Sequence, residues 1–438
     1  MARSHDDELI RIKKREQKPR KEKREKLRPP KKEKNPPKTT NGVTLDFTTE
    51  EKPKYSKYYM AVSRRYRLMR YISVILLVAF LLVMLIFFRE NITYSNLMYL
   101  VRDLDSENEL SIGAYSGIEY EKSLSSDFAM FRQRIARGTN GGFTLYSKTG
   151  SVDLESADIL AAPRLEAGEK YAVLYDAGAK RYSVFTSLAK VLSAESEKEI
   201  EDCAVSDSGR YALLTRSDEA RYLITVYSSD FKSLTEYYMD RFVVDMALDE
   251  KGETIAVASV DITTSSVKCV VTVGKVGSEE KKTLELSGVM PLALEYTENG
   301  RIALVCDSAV IFLDGARETA RADLEGLSPA SFDISGNTVA LTLPTNAIGS
   351  ENLLRVIDTD GKETARAEIS GKAVCVTADG EGAVYAVCES EAHRLSLDTK
   401  KIKTEKIPYL PSAAIAYPGG VMIFGPESGE VFFDGSES

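Results

Sequence analysis

Tryptophan is absent from this sequence and histidine nearly so, with His5 and His393 the only two in 438 residues. That scarcity removes His-based zinc and iron sites, which draw several imidazoles to one ion. A Ser-His-acid triad would have to use His393, and the surrounding ESEAHRLSLD holds nothing like a nucleophile elbow. An ordinary strand histidine is the reading that remains. The five cysteines, Cys203, Cys269, Cys306, Cys375 and Cys388, lack metal-ligand spacing and fall in apolar, strand-like runs, as buried thiols do. No glycine-rich phosphate loop follows a strand and opens a helix. Asp358-Thr359-Asp360-Gly361 begins like a calcium loop but lacks the third ligand position and the distant glutamate, so a tight hairpin turn explains it better. Acidic residues are too abundant for any one pair to stand out. No catalytic, cofactor-binding or metal-binding residue is assigned, and no cofactor.

What the sequence does have is a sharp change of charge. Residues 1–70 hold 23 Lys and Arg against 10 Asp and Glu, a surplus of 13, whereas the whole chain is −8, which leaves −21 beyond that point. Between the two lies YISVILLVAFLLVMLIFF, Tyr71 to Phe88, without a charge. As a helix these residues would reach ~27 Å, close to the ~30 Å hydrocarbon core of a bilayer. The run is expected to be an uncleaved transmembrane anchor over 71–89, because some 70 residues precede it and no small-x-small cleavage site follows. Lys52, Lys54, Lys57, Arg64, Arg65, Arg67 and Arg70 crowd the upstream flank, while only Arg89 and Arg102 follow within 20 residues. The positive-inside rule then keeps the N-terminus in the cytoplasm and places the rest of the chain outside, at the cell envelope.

The tail, 1–70, is rich in Lys, Glu and Pro and too poor in apolar residues to offset its ordering entropy, so it is expected to be disordered. Its charge suits anionic lipid as a partner. After the anchor, Leu97, Leu100, Val101 and Leu104 recur at helical spacing and predict a short stalk over 90–108.

From about residue 109 to 438 the texture is short apolar runs separated by Gly, Asp, Asn and Ser. One unit recurs seven times: an apolar strand, a polar turn holding a glycine, and a second strand of the form apolar-Ala-apolar. Its turn glycines are Gly168, Gly209, Gly252, Gly300, Gly336, Gly380 and Gly419, spaced by 41, 43, 48, 36, 44 and 39 residues. Four-stranded propeller blades need ~40–50. A second turn glycine, at Gly150, Gly315, Gly361 and Gly435, closes a third strand onto a fourth. With a first blade at about Leu124 to Glu155, these repeats predict an all-β domain, an extracytoplasmic β-propeller of about eight four-stranded blades, with seven as the runner-up. The last copy runs out before its outer strand, and Gly113 to Ser123 is a suitable replacement beside the strand around Glu430 to Phe433. Within the hairpin VCVTADGEGAVYAVC, pairing Ala378 with Tyr385 would set Cys375 across from Cys388 at disulfide distance, while pairing Ala378 with Ala383 would stagger them.

The order of parts, and above all YSNLMYLVRDLD (Tyr94 to Asp105), resembles a domain-of-unknown-function family of membrane-anchored, propeller-like proteins from clostridia and related Firmicutes. The resemblance covers most of the chain from Arg64 onward and implies location and fold, with no activity to carry over. Quinoprotein and WD-repeat propellers match less well, because their blades usually carry a tryptophan. Two functions follow: a binding, scaffold or sensor module for an envelope protein or wall component, or an enzyme on glycans or peptides. The enzyme would need carboxylates from different blades converging on one cleft beside an apolar or aromatic platform. Nucleic acid does not suit the acidic domain.

Overall fold

The computed structural model describes residues 55–87 and 115–433, apart from 263–266, 279 and 381. These fall into two units.

The first unit contains α1, Tyr55–Phe87. The helix starts 16 residues before the apolar run, so the expectation of an unstructured tail through residue 70 is corrected for 55–70. After Pro53 the sequence has no Gly or Pro until beyond the helix, and Ala61, Met60, Leu68, Met69 and four arginines are strong helix formers. Among the described residues no helix is long and apolar enough to cross a membrane. The side chains described on α1 are those of 62–80, and any 18-residue stretch of them takes in Arg64, Arg65, Arg67 and Arg70. The rest of the Tyr71 to Phe88 run, like the stalk at 90–108, lies outside them.

The second unit is an eight-bladed propeller. Its sheets are eight in number, each of four antiparallel strands. Blades 1 to 7 occupy 126–157, 163–195, 200–239, 242–287, 291–323, 331–370 and 373–406 in chain order. Blade 8 takes Ala413–Tyr417, Gly420–Phe424 and Ser428–Phe432, and its outer strand is Ile118–Glu119 from the start of the domain. Ile118 pairs with Gly429 and Glu119 with Ser428. The expected closing segment is thus the one used, docked at the beginning of the last strand.

The packing explains the sequence texture. Second strands such as Ile302–Cys306 and Ala383–Cys388 are buried along their whole length, because each blade is covered on both faces by its neighbours. Fourth strands such as Lys190–Glu195 alternate, with one face turned to solvent. Eight apolar clusters fill the ring, one between each pair of successive blades. The last, between blades 8 and 1, includes Tyr115 and Ile118 from the closing segment.

All seven repeat glycines sit in turns between first and second strands. Six have positive φ, from 59° at Gly336 to 93° at Gly419. Gly168 is conserved in the repeat for another reason, since a Cβ there would lie 2.7 Å from the backbone oxygen of Ser206 in the next blade. Blade 1 breaks the repeat because its turn uses Arg132 and Gln133, both left-handed at φ 49° and 57°, in place of glycine. The Gly435 turn lies outside the described residues.

Blade 7 decides between the two hairpin registers by adopting neither. Ala378 pairs with Val384, and a bulge between Ala373 and Cys375 shifts the rest, so Cys375 faces Val387 and Cys388 faces Ala373. The two cysteines pack on opposite faces of the blade, Cys388 toward blade 6 and Cys375 toward blade 8, and both are free.

Candidate functional site

The residues weighed in the sequence are structural. His393 is buried in blade 7, its Nδ1 3.0 Å from Thr404 Oγ1 and its Nε2 3.0 Å from the Ser370 carbonyl. Both ring nitrogens are occupied within the protein. Asp358 to Gly361 forms the turn between the third and fourth strands of blade 6. Asp358 Oδ1 accepts from the N–H of Asp360 and of Lys362, each at 2.9 Å, and Gly361 has φ +75°. Burial pushes the thiol pKa values up, that of Cys388 to about 11 and those of Cys269 and Cys375 to about 12, which leaves little thiolate to act as a nucleophile. No group of three or more His, Cys, Asp or Glu among the described residues is placed to hold a metal ion.

Carboxylates gather instead along the axis of the ring. The first strand of each blade lines a central channel, and five of these strands in succession contribute an acid: Glu166, Asp202, Asp245, Glu295 and Asp333, around a cavity of about 260 Å³. Blade 1 adds Asp127, whose charge Glu166 senses. The sequence carried a signal for this set, an acidic residue inside the first apolar strand of five consecutive repeats.

Three of the acids tie the blades together. The N–H of Leu165 in blade 2 donates to Asp127 Oδ2 (3.0 Å), that of Leu294 in blade 5 to Asp245 Oδ2 (2.7 Å), and that of Ala378 in blade 7 to Asp333 Oδ2 (2.7 Å). Thr377 takes the equivalent role between blades 7 and 8, accepting from Ala416 N–H at 3.3 Å. Asp202 accepts from Cys203 N–H (2.9 Å) and from Tyr175 Oη (3.3 Å). Glu166 and Glu295 make no hydrogen bond or ion pair among the described residues.

By area Glu166 and Glu295 are exposed, because the channel admits water, yet protein surrounds them on all sides. That enclosure raises every acid in the set. Burial, then the charges of Asp333 and Asp245, lifts Glu295 to about 8; burial, then Asp245, lifts Asp202 to about 7; Asp245 and Asp333 rise to about 6 against their backbone N–H donors. Glu166 is driven well above the usual carboxylate range by burial and by four neighbouring acids. The channel therefore holds a negative field that is partly discharged by protonation near neutral pH, and a cation entering it would restore the ionised forms.

The sequence profile of a family of unknown function (DUF5711) matches residues 111–403, about two thirds of the chain. The chain belongs to that family. No curated protein matches it. Among solved structures, the computationally designed Ika8 protein aligns over 73% of this chain and 99% of its own, at 14% identity and a TM-score of 0.58. The WD40 domain of SCAP from fission yeast aligns over 72% of this chain and 93% of its own, at 11% identity and a TM-score of 0.53. At such identities these likenesses establish the propeller fold of this DUF5711 member and nothing about its ligand.

Proposed function

We propose that this DUF5711 protein is a binding module, a propeller held at the outer surface of the cell membrane by the Tyr71 to Phe88 run, with its basic tail inside against anionic lipid. The tether is supported by 18 uncharged residues in a row and by the concentration of Lys and Arg on their N-terminal side. The partner is a protein or wall component of the envelope.

The size of the axial cavity carries the choice of binding over chemistry. Carboxylates from five blades do converge on one space with Phe332 beside them, which is what hydrolysis of glycans or peptides would require. At about 260 Å³, however, that space falls short of the ~300–1,000 Å³ typical of small-molecule sites. Asp245 and Asp333 are also committed to holding neighbouring blades. A rigid ring with broad end faces and a narrow charged axis is built to dock a surface.

The test uses the full-length protein in intact cells, with photo-crosslinking residues at Ile159 and Leu410 on one end face and at Lys251 and Asn299 on the other. A discrete crosslinked envelope component is expected. No crosslink from either face would overturn the binding reading. Protease added after wall removal should digest the chain beyond Arg89 and spare an N-terminal epitope, and full protection of the propeller would overturn the topology.

A further inference from the structure

Blades 3 and 4 part at their outer flank around a cavity of about 410 Å³, within the ~300–1,000 Å³ of small-molecule sites that the axial cavity misses. Its floor comes from blade 4. Thr272, on the strand Lys268–Lys275, pairs with Val257 on one side and Thr283 on the other. Val257 packs into the apolar cluster between the two blades, and residues directly opposite one another share a face, so both threonines are turned toward blade 3. The rim comes from the link between the blades, where Asp240 and Arg241 follow Met239, and from Arg221 at the head of the strand Tyr222–Tyr227. Lys281 opens the fourth strand of blade 4 on the same side as Thr283.

Polar groups at this cavity lack partners inside the protein. Thr272 is only 7% exposed, yet its hydroxyl makes no hydrogen bond, and Lys281 makes no ion pair, with any described residue. Buried polar groups are ordinarily paired, so a hydroxyl left open here is a place for a ligand's own. Arg221 is held in place without being used up. Its guanidinium lies 3.8 Å from the centre of the Phe242 ring, and its Nε donates to the Asp240 carbonyl (3.3 Å). Both Nη nitrogens are left over, a fixed fork matched to two oxygens of a phosphate or carboxylate. Of the two acids at the cavity, Asp261 lies 3.4 Å from Arg241 Nε. Against Asp240 alone, Arg221 and Lys281 leave one positive charge in surplus, on a domain whose balance is negative.

Resting on the binding reading above, we infer that this cleft takes the anionic group, phosphate or carboxylate, of an envelope polymer built on sugar or polyol units. The Arg221 fork and Lys281 hold the charged oxygens, and Thr272 and Thr283 exchange hydrogen bonds with the hydroxyls beside them. A bare anion would leave the threonines unmet, which is why the ligand is an anion on a hydroxylated body.

Isothermal titration calorimetry on the full-length protein in uncharged detergent reads the site, with a glycerol phosphate trimer, digalacturonate, inorganic phosphate and neutral maltotriose as probes. The trimer or digalacturonate should bind, the one that does telling phosphate from carboxylate, and added salt should weaken it. Its Kd should rise about tenfold or more in Arg221→Gln and in Lys281→Gln. Arg221→Lys should do little better than the glutamine variant, because the charge returns without the fork. Thr272→Val should weaken the same probe. Lys281 is exposed, so Lys281→Gln keeps the test where another variant is unstable. Maltotriose binding as tightly as the anions, or equal affinities in wild type and Lys281→Gln, would overturn the site. Inorganic phosphate binding as tightly as the trimer would overturn the polymer as ligand. Binding of neither anionic oligomer while the envelope crosslinks described above still form would overturn this inference and leave the module a binder of something else.

Discussion

Truncating Ile118 to alanine should loosen the ring at its seam. Ile118 is 1% exposed and packs with Tyr115, Ile135, Tyr417, Met422 and Phe424 between blades 8 and 1. The strand it belongs to has two residues, so few hydrogen bonds hold it. Around it Tyr120 Oη donates to the carbonyls of Gly425 and Ser428 at 2.9 Å, and the Arg137 guanidinium lies 4.0 Å from the centre of the Tyr120 ring. Removing a fully buried isoleucine down to alanine costs about 2–5 kcal/mol. Unfolding entropy of ~2.1 cal/mol/K per residue over roughly 320 residues makes that a fall in melting temperature of about 3–7 °C. Deleting 115–119 should do more, since it strips the outer edge from the strand Ser428–Phe432 and invites pairing between molecules. Scanning calorimetry with size-exclusion chromatography reads both effects, and Leu124→Ser, at a fully exposed position, is the control. An Ile118→Ala protein melting within ~1 °C of wild type, or a deletion that stays monomeric and equally stable, would refute a ring closed by this segment.

The channel acids make stability fall with rising pH. Their folded pKa values are raised, so the folded state holds protons that the unfolded chain has released; their contribution is complete below about pH 4 and is lost as pH rises through about 6 to 8. Melting temperatures at pH 5.5, 7 and 8.5 should decline, and Glu295→Gln should flatten the decline; a wild-type rise across this window would contradict the channel electrostatics. Gly168→Ala should destabilise by about 1–3 kcal/mol, because its Cβ meets backbone and not a movable side chain, and an unchanged denaturation midpoint would show that blades 2 and 3 do not approach so closely. Alkylation without reduction, followed by peptide mass spectrometry, should find Cys375 and Cys388 unlinked, as their opposite faces require. A linked peptide pair would mean that the hairpin pairs Ala378 with Tyr385.

Much of the architecture was legible because a propeller writes its period into the chain. Each blade must turn tightly after its first strand, so glycine recurs there, and each second strand is buried on both faces, so it reads as an unbroken apolar run. The strand-like stretch Gly113 to Ser123 was legible as well, and Ile118 and Glu119 within it supply the outer strand of blade 8. Charge asymmetry and an apolar run are equally local properties, which is why topology could be argued from sequence alone. Tertiary structure decided the rest. The register of the Cys375 hairpin turned on a one-residue bulge, and a single step moves a side chain to the other face of a sheet. The acids of blades 2 to 6 are far apart in sequence and unremarkable one at a time; only closure of the ring brings them to one axis, where enclosure raises their pKa values. The same closure seats blade 4 against blade 3, and so sets Arg221, Thr272 and Lys281, distant in sequence, around a single cleft.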